Sequence, residues 1–99
     1  MINIINKLQE KIMKNVLIYT LNYCPFCKKA LDFLEKLGVP FENIDVTYDE
    51  ENMTEKIRQM FDLKGEITFP QIIIDKKNIG GYVDMMRLER KGELDKLLT

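Results

Sequence analysis

Short apolar runs alternate along this chain with segments whose apolar residues recur every three or four positions. Val16, Leu17, Ile18 and Tyr19 run together and predict a buried strand over 16–20. Phe26, Cys27, Ala30, Leu31 and Leu34 then recur at helical spacing, so a helix is expected over about 25–37. Pro25 suits its first turn, where a missing N–H leaves nothing unpaired, and Gly38 with Pro40 just beyond marks its end. Residues 41–46 read as a second strand. Thr47 and Glu50 have capping-box spacing ahead of a helix over about 49–61, with Met53, Ile57, Met60 and Phe61 on its inner side. A methionine stripe can serve as an adaptable binding surface; core packing is the reading adopted.

A loop, Lys64-Gly65-Glu66-Ile67, leads to Thr68-Phe69-Pro70. Residues 71–75 read as a strand, Lys76-Lys77 as a turn, and Asn78-Ile79 as the start of a hairpin partner that Gly80-Gly81 breaks. A helix is expected over about 82–90, and Gly92 separates it from a last helical segment at 93–98. The order is βαβα followed by ββα and a short C-terminal helix. That predicts an α/β fold: the first two strands are parallel through a right-handed crossover, and the hairpin adds antiparallel strands. Ahead of it, Ile2, Ile5, Leu8 and Ile12 recur at helical spacing. Residues 1–12 are read as an N-terminal extension, a short packed helix or a frayed tail, rather than a docking helix or dimer contact. Residues 13–99 are read as a single domain, with Met13 an alternative start.

Composition narrows the function classes. The 99 residues suffice for one core, and the 45% hydrophobic and 31% charged shares suit an ordinary globular chain. A net charge of −1 offers no broad attraction to nucleic acid or an anionic membrane, and no apolar run is long enough to span one. Residues 1–12 lack the apolar core and cleavage site of a signal peptide. Two cysteines in one short motif fit a reducing compartment, which makes the cytoplasm the expected location and a monomer the expected state.

The chemistry concentrates in Tyr23-Cys24-Pro25-Phe26-Cys27, between a strand and a helix N-terminus. Backbone N–H groups point outward there, carrying roughly half a positive elementary charge, and stabilise a thiolate over a thiol. Cys27, one turn on, is close enough to close a disulfide with Cys24. A purely structural bridge over so small a loop removes little chain entropy, and two Cys with no His cannot supply four zinc ligands. Redox chemistry is the reading adopted, with two unrelated core cysteines as the alternative.

Cys24-Pro25-Phe26-Cys27, Thr68-Phe69-Pro70 and Gly80-Gly81-Tyr82-Val83-Asp84 together resemble the three signatures of dithiol glutaredoxins, in the same order and at similar spacing. The resemblance covers the chain from about Lys14 to the end. It implies a thioredoxin-like fold, a central four-stranded mixed sheet flanked by helices, with Pro70 in cis facing the cysteines. It implies Cys24 as nucleophile, Cys27 as resolving thiol, and a redox-active disulfide between them. Glutathione is implied as reductant and co-substrate, bound by Tyr23, Phe26, Thr68, Phe69, Pro70, Gly81, Tyr82, Val83 and Asp84, with no metal. Asp84 would pair with the γ-glutamyl ammonium, although a first-turn carboxylate is also what a helix dipole favours by itself. Implied partners are disulfide-bonded or glutathionylated proteins, ribonucleotide reductase among the candidates. The potential expected by class is roughly −200 to −230 mV.

Two positions depart from the family pattern. Leu21 stands where a basic residue often precedes the first Cys, and Glu66 where one often precedes the Thr. Both remove charge that favours a glycine carboxylate; Lys64 and Arg58 are the cations available to compensate. Phe26 in place of the common Tyr loses only a hydroxyl. Two alternatives follow. One is a glutathione-independent redoxin recharged by thioredoxin reductase and feeding ribonucleotide reductase. The other is an iron–sulfur carrier, disfavoured because Cys27 competes for Cys24.

Overall fold

Four strands form one mixed sheet in the order β2–β1–β3–β4. The structure, a computed structural model, describes residues 14–99, so the expectations for residues 1–12 and Met13 lie outside the described residues. Strand β1 (Val16–Thr20) runs parallel to β2 (Glu42–Asp45) and antiparallel to β3 (Gln71–Ile74). β3 pairs antiparallel with β4 (Lys77–Gly80). The helices are α1 (Pro25–Leu37), α2 (Glu50–Met60), α3 (Tyr82–Arg90) and α4 (Leu94–Leu98). This is the thioredoxin-like arrangement that the family resemblance implies, and it contains the parallel pair and closing hairpin that the alternation of strands and helices predicts. Among the described residues no helix is long and apolar enough to cross a membrane.

Side chains alternate across a strand, and helices cover both faces of this sheet, which is why β1 and β3 are apolar on both. Val16, Ile18, Ile72 and Ile74 face Ala30 and Leu34 of α1, Met85 of α3, and Leu94 and Leu98 of α4. Tyr19, Leu21, Val46 and Ile73 pack with Ile57 of α2. The register places Val16 opposite Ile74 and Tyr19 opposite Gln71. The chain leaving β1 toward Cys24 therefore passes beside the chain entering β3 from Pro70. Strand pairing alone brings two of the three motifs together.

Three local expectations are corrected. The hairpin turn is Asp75-Lys76 rather than Lys76-Lys77, and β4 already begins at Lys77. Asp75 and Lys76 both have positive φ, 51° and 68°, as a tight two-residue hairpin whose twist matches its strands requires. Thr47 does not form a capping box with Glu50. Its N–H and hydroxyl both bond Asp45 Oδ1, residues Thr47–Asp49 form a 3₁₀ turn, and α2 starts at Glu50. Met60 is 56% exposed rather than inward-facing; Met53 and Phe61 pack around Ile57 as expected.

Candidate active site

Cys24 is the N-cap of α1, in extended conformation, with Pro25 as the first helical residue. Its amide donates to the Leu21 carbonyl (3.2 Å) and its carbonyl accepts from Lys28 N–H (3.2 Å), which fixes the turn. Its sulfur accepts the Cys27 N–H at 3.2 Å, so one of the helix's unpaired donors points at the thiol. That sulfur is also 3.4 Å from the Phe69 carbonyl, to which the thiol donates. The Phe69–Pro70 peptide bond is cis, as the resemblance implied. The Phe69 N–H has no partner among the described residues.

The two thiols differ sharply. Cys24 is half-buried and reachable, whereas Cys27 is 1% exposed. Burial, reinforced by the Cys24 side chain against it, pushes the Cys27 thiol up to about 12. Cys27 therefore keeps its proton at neutral pH, and Cys24 is the thiol a substrate can reach.

Around Cys24 the other signature residues converge from three segments. Tyr23 and Phe26 are exposed beside it, and the Phe26 ring packs against Tyr82 at 5.9 Å between centroids, tilted by 33°. Lys29 Nζ sits 5.4 Å from the Phe26 centroid, a cation–π contact on the same rim. Lys28 instead pairs with Asp32 at 3.7 Å along the helix surface. The Tyr23 hydroxyl donates to Glu50, and that carboxylate holds the phenol above its usual range. The Asn22 N–H donates to the Thr47 hydroxyl at 2.8 Å, so the loop carrying Cys24 is tied to the turn that precedes α2. Neither tie is visible in the spacing of the sequence, because the partners lie more than twenty positions apart.

The opposite rim is held by a chain of side-chain bonds. Gln71 Nε2 donates to the Thr68 carbonyl (2.6 Å), Asn78 Nδ2 to Gln71 Oε1 (2.8 Å), and Gly80 N–H to Asn78 Oδ1 (2.7 Å). It joins the Thr68-Phe69-Pro70 loop to Gly80-Gly81. Gly80 has φ +104°, and a Cβ there would lie 2.3 Å from Asp84 Oδ2. A Cβ on Gly81 would meet the Pro70 carbonyl at 3.3 Å. Asp84 Oδ2 accepts the Gly81 N–H (2.9 Å), and Oδ1 pairs with Arg87 Nη1 (3.3 Å). Val83 stands exposed on the first turn of α3.

The two departures acquire physical meaning here. Leu21 is buried in the cluster around Ile57 and Tyr19, so its side chain serves the core. Glu66 is exposed on the loop. Arg58 of α2 donates to the Gly65 carbonyl and to Glu55, which ties the base of that loop to the helix.

The glutaredoxin family model matches residues 16–79. The chain is similar to Glutaredoxin 1 of Rickettsia prowazekii (strain Madrid E), 41% identical over 93 residues, covering 92% of this chain and 94% of that protein. It is also similar to Glutaredoxin 3 of Escherichia coli (strain K12), 38% identical over 86 residues, covering 87% of this chain and 99% of that one. Among solved structures, the dithiolic glutaredoxin of Trypanosoma brucei brucei superposes with a TM-score of 0.74 at 28% identity, covering 93% of each chain. Glutaredoxin from Brucella melitensis gives 0.71 at 36% identity, covering 87% of this chain and 89% of that one. The dithiol motif, its setting opposite a cis-proline and the extent of these matches agree: the chain belongs to the glutaredoxin family of thiol–disulfide oxidoreductases.

Proposed function

We propose that this glutaredoxin is glutathione-dependent and reduces both protein disulfides and glutathione mixed disulfides. Deprotonated Cys24 attacks one sulfur of the substrate disulfide; that S–S bond breaks, the other sulfur leaves as a thiolate, and a Cys24–substrate mixed disulfide forms. On a protein disulfide, Cys27 loses its proton and attacks the Cys24 sulfur. The reduced protein thiol departs and the Cys24–Cys27 disulfide remains. Two glutathione molecules reduce that pair and become glutathione disulfide. On a glutathionylated protein, a second glutathione resolves the intermediate at Cys24 without Cys27.

The two cysteines support a redoxin in general; the glycine pair with Asp84 supports glutathione in particular. Its γ-glutamyl group carries an ammonium and a carboxylate on one carbon. The N-terminus of α3, which follows Gly80-Gly81, offers first-turn N–H groups to a carboxylate, and Asp84 supplies the charge for the ammonium. Phe69 offers backbone groups to pair with the extended tripeptide, flanked by Thr68 and Pro70. Tyr23, Phe26, Tyr82 and Val83 provide the apolar rim. The protein is read as a monomer of a reducing compartment, the cytoplasm.

A second reading has its own observation. Leu21 is committed to the core, Glu66 is acidic, and Arg58 is engaged with Gly65 and Glu55, which leaves exposed Lys64 as the one remaining compensating cation, among the described residues, for the glycine carboxylate. That favours a redoxin recharged by thioredoxin reductase. Supplying each reductase system separately to the oxidised protein and following NADPH loss decides the matter. Rapid turnover with glutathione and glutathione reductase is expected; turnover with thioredoxin reductase alone overturns the proposal.

A further inference from the structure

We infer that Arg87 is a specificity-determining residue of this groove, competing with the substrate's ammonium for Asp84 and so weakening the hold on a γ-glutamyl group. The inference rests on the proposed role of Asp84 as partner of that ammonium. Asp84 is confined on one side: Oδ2 accepts the Gly81 N–H at 2.9 Å and occupies the space that a Cβ on Gly80 would need. Rotating the carboxylate breaks that bond, so an incoming cation must use Oδ1. Oδ1 is the oxygen that Arg87 Nη1 already faces at 3.3 Å, one turn along α3. A hollow of about 300 Å³ adjoins the pair, lined by Ile79, Asp84, Arg87, Leu88, Lys91 and Leu97. Its charged lining is two cations and one carboxylate, so the potential on that side opposes a third positive group.

Both side chains are about half exposed, 48% for Asp84 and 54% for Arg87. Arg87 is therefore displaceable, and its competition is modest. An exposed pair of this kind corresponds to about a two- to fivefold effect on a competing equilibrium. The opposite role is also physically defined: if Arg87 oriented Asp84 for the ligand, removing it would weaken binding. The two roles predict opposite signs.

The test is steady-state reduction of a small glutathione mixed disulfide and its N-acetylated counterpart, which carries no ammonium, by wild type, R87Q, R87K, D84N and D84N/R87Q. Competition predicts that R87Q lowers KM for the amine-bearing substrate about two- to fivefold, and that R87K, which keeps the charge, stays nearer wild type. The gain should be absent with the N-acetylated substrate, absent in the D84N background, and reduced at about 0.5 M salt. An unchanged or raised KM in R87Q, or a gain that persists without Asp84, overturns the inference. D84N separates this failure from that of the proposed function. If D84N raises KM while R87Q does not lower it, only the role of Arg87 falls. If D84N leaves KM at the wild-type value, Asp84 does not hold the ammonium and the role of Arg87 falls with it, while glutathione dependence is still decided by the two reductase systems.

Discussion

Gly80→Ala tests the geometry of the groove through stability as well as binding. Gly80 has φ +104°, outside the range an L side chain adopts comfortably, and this costs Ala about 1–2 kcal/mol. The added Cβ would also lie 2.3 Å from Asp84 Oδ2 and 2.7 Å from Cγ, so the carboxylate must swing away from the Gly81 N–H. Losing that cap costs about a further 1 kcal/mol. The expected total is about 2–3 kcal/mol, a fall in Tm of roughly 10–20 °C for a domain of this size. In an Asp84→Ala background the clash shrinks to a Cβ contact at 3.0 Å, which a small shift relieves. There the same change should cost only the backbone strain, leaving a coupling of about 1 kcal/mol between the sites. Urea unfolding of the four proteins measures it, and KM for a glutathione mixed disulfide should rise in both single variants. A Gly80→Ala protein within about 0.5 kcal/mol of wild type, or an equal penalty in both backgrounds, refutes the reasoning.

Limited alkylation of the reduced protein at pH 7, followed by peptide mass analysis, should label Cys24 and spare Cys27, which is buried and keeps its proton to about 12. The same thiol makes stability depend on pH. Its ordinary value is 9.0, so between about 9 and 12 the unfolded chain has lost a proton that the native state retains. The stabilisation is fully present below pH 9 and declines by up to about 1.4 kcal/mol per pH unit toward 12; Cys27→Ala should flatten that slope. Leu34→Ala empties a fully buried site between α1 and the sheet and should cost about 2–5 kcal/mol by urea unfolding. Asn78→Ala breaks the chain from Thr68 to Gly80 and leaves Gln71 Oε1 and the Gly80 N–H unpaired. It should cost about 1–3 kcal/mol and raise KM for glutathione substrates, against no change in either if the chain is incidental.

Local signals were legible where one residue decides the outcome. Pro25 and Gly38 bound α1, and the apolar run of β1 and the span of α3 were readable from the pattern. What the pattern missed depends on partners distant in sequence or on a subtle backbone choice. Asp75 looks like the end of a strand, yet it takes φ 51° and carries the turn that Lys77 was expected to share. Thr47 and Glu50 have the right spacing for a cap, but Asp45 takes the Thr47 hydroxyl, and Glu50 takes Tyr23. Met60 falls on the helical stripe and still faces outward, because α2 buries its face mainly through Ile57. The cis bond at Pro70 was foreseen only through the family resemblance; periodicity would have read an ordinary trans proline. Leu21 was legible as a missing charge and not as a core residue, since only the β1 register shows which face it joins. Asp84 is readable as an acidic first-turn residue, whereas the Arg87 guanidinium on its second oxygen has no signal in the sequence beyond an i,i+3 spacing.

The proposed function divides the work between half-buried but reachable Cys24, as nucleophile, and buried Cys27, as resolving thiol. Turnover of a small glutathione mixed disulfide, coupled through glutathione reductase to NADPH loss, tests it in wild type, Cys24→Ser and Cys27→Ser. Cys24→Ser should abolish turnover, whereas Cys27→Ser should retain it and lose only the reduction of protein disulfides. Turnover that survives Cys24→Ser, or that is lost in Cys27→Ser on this small substrate, would contradict it.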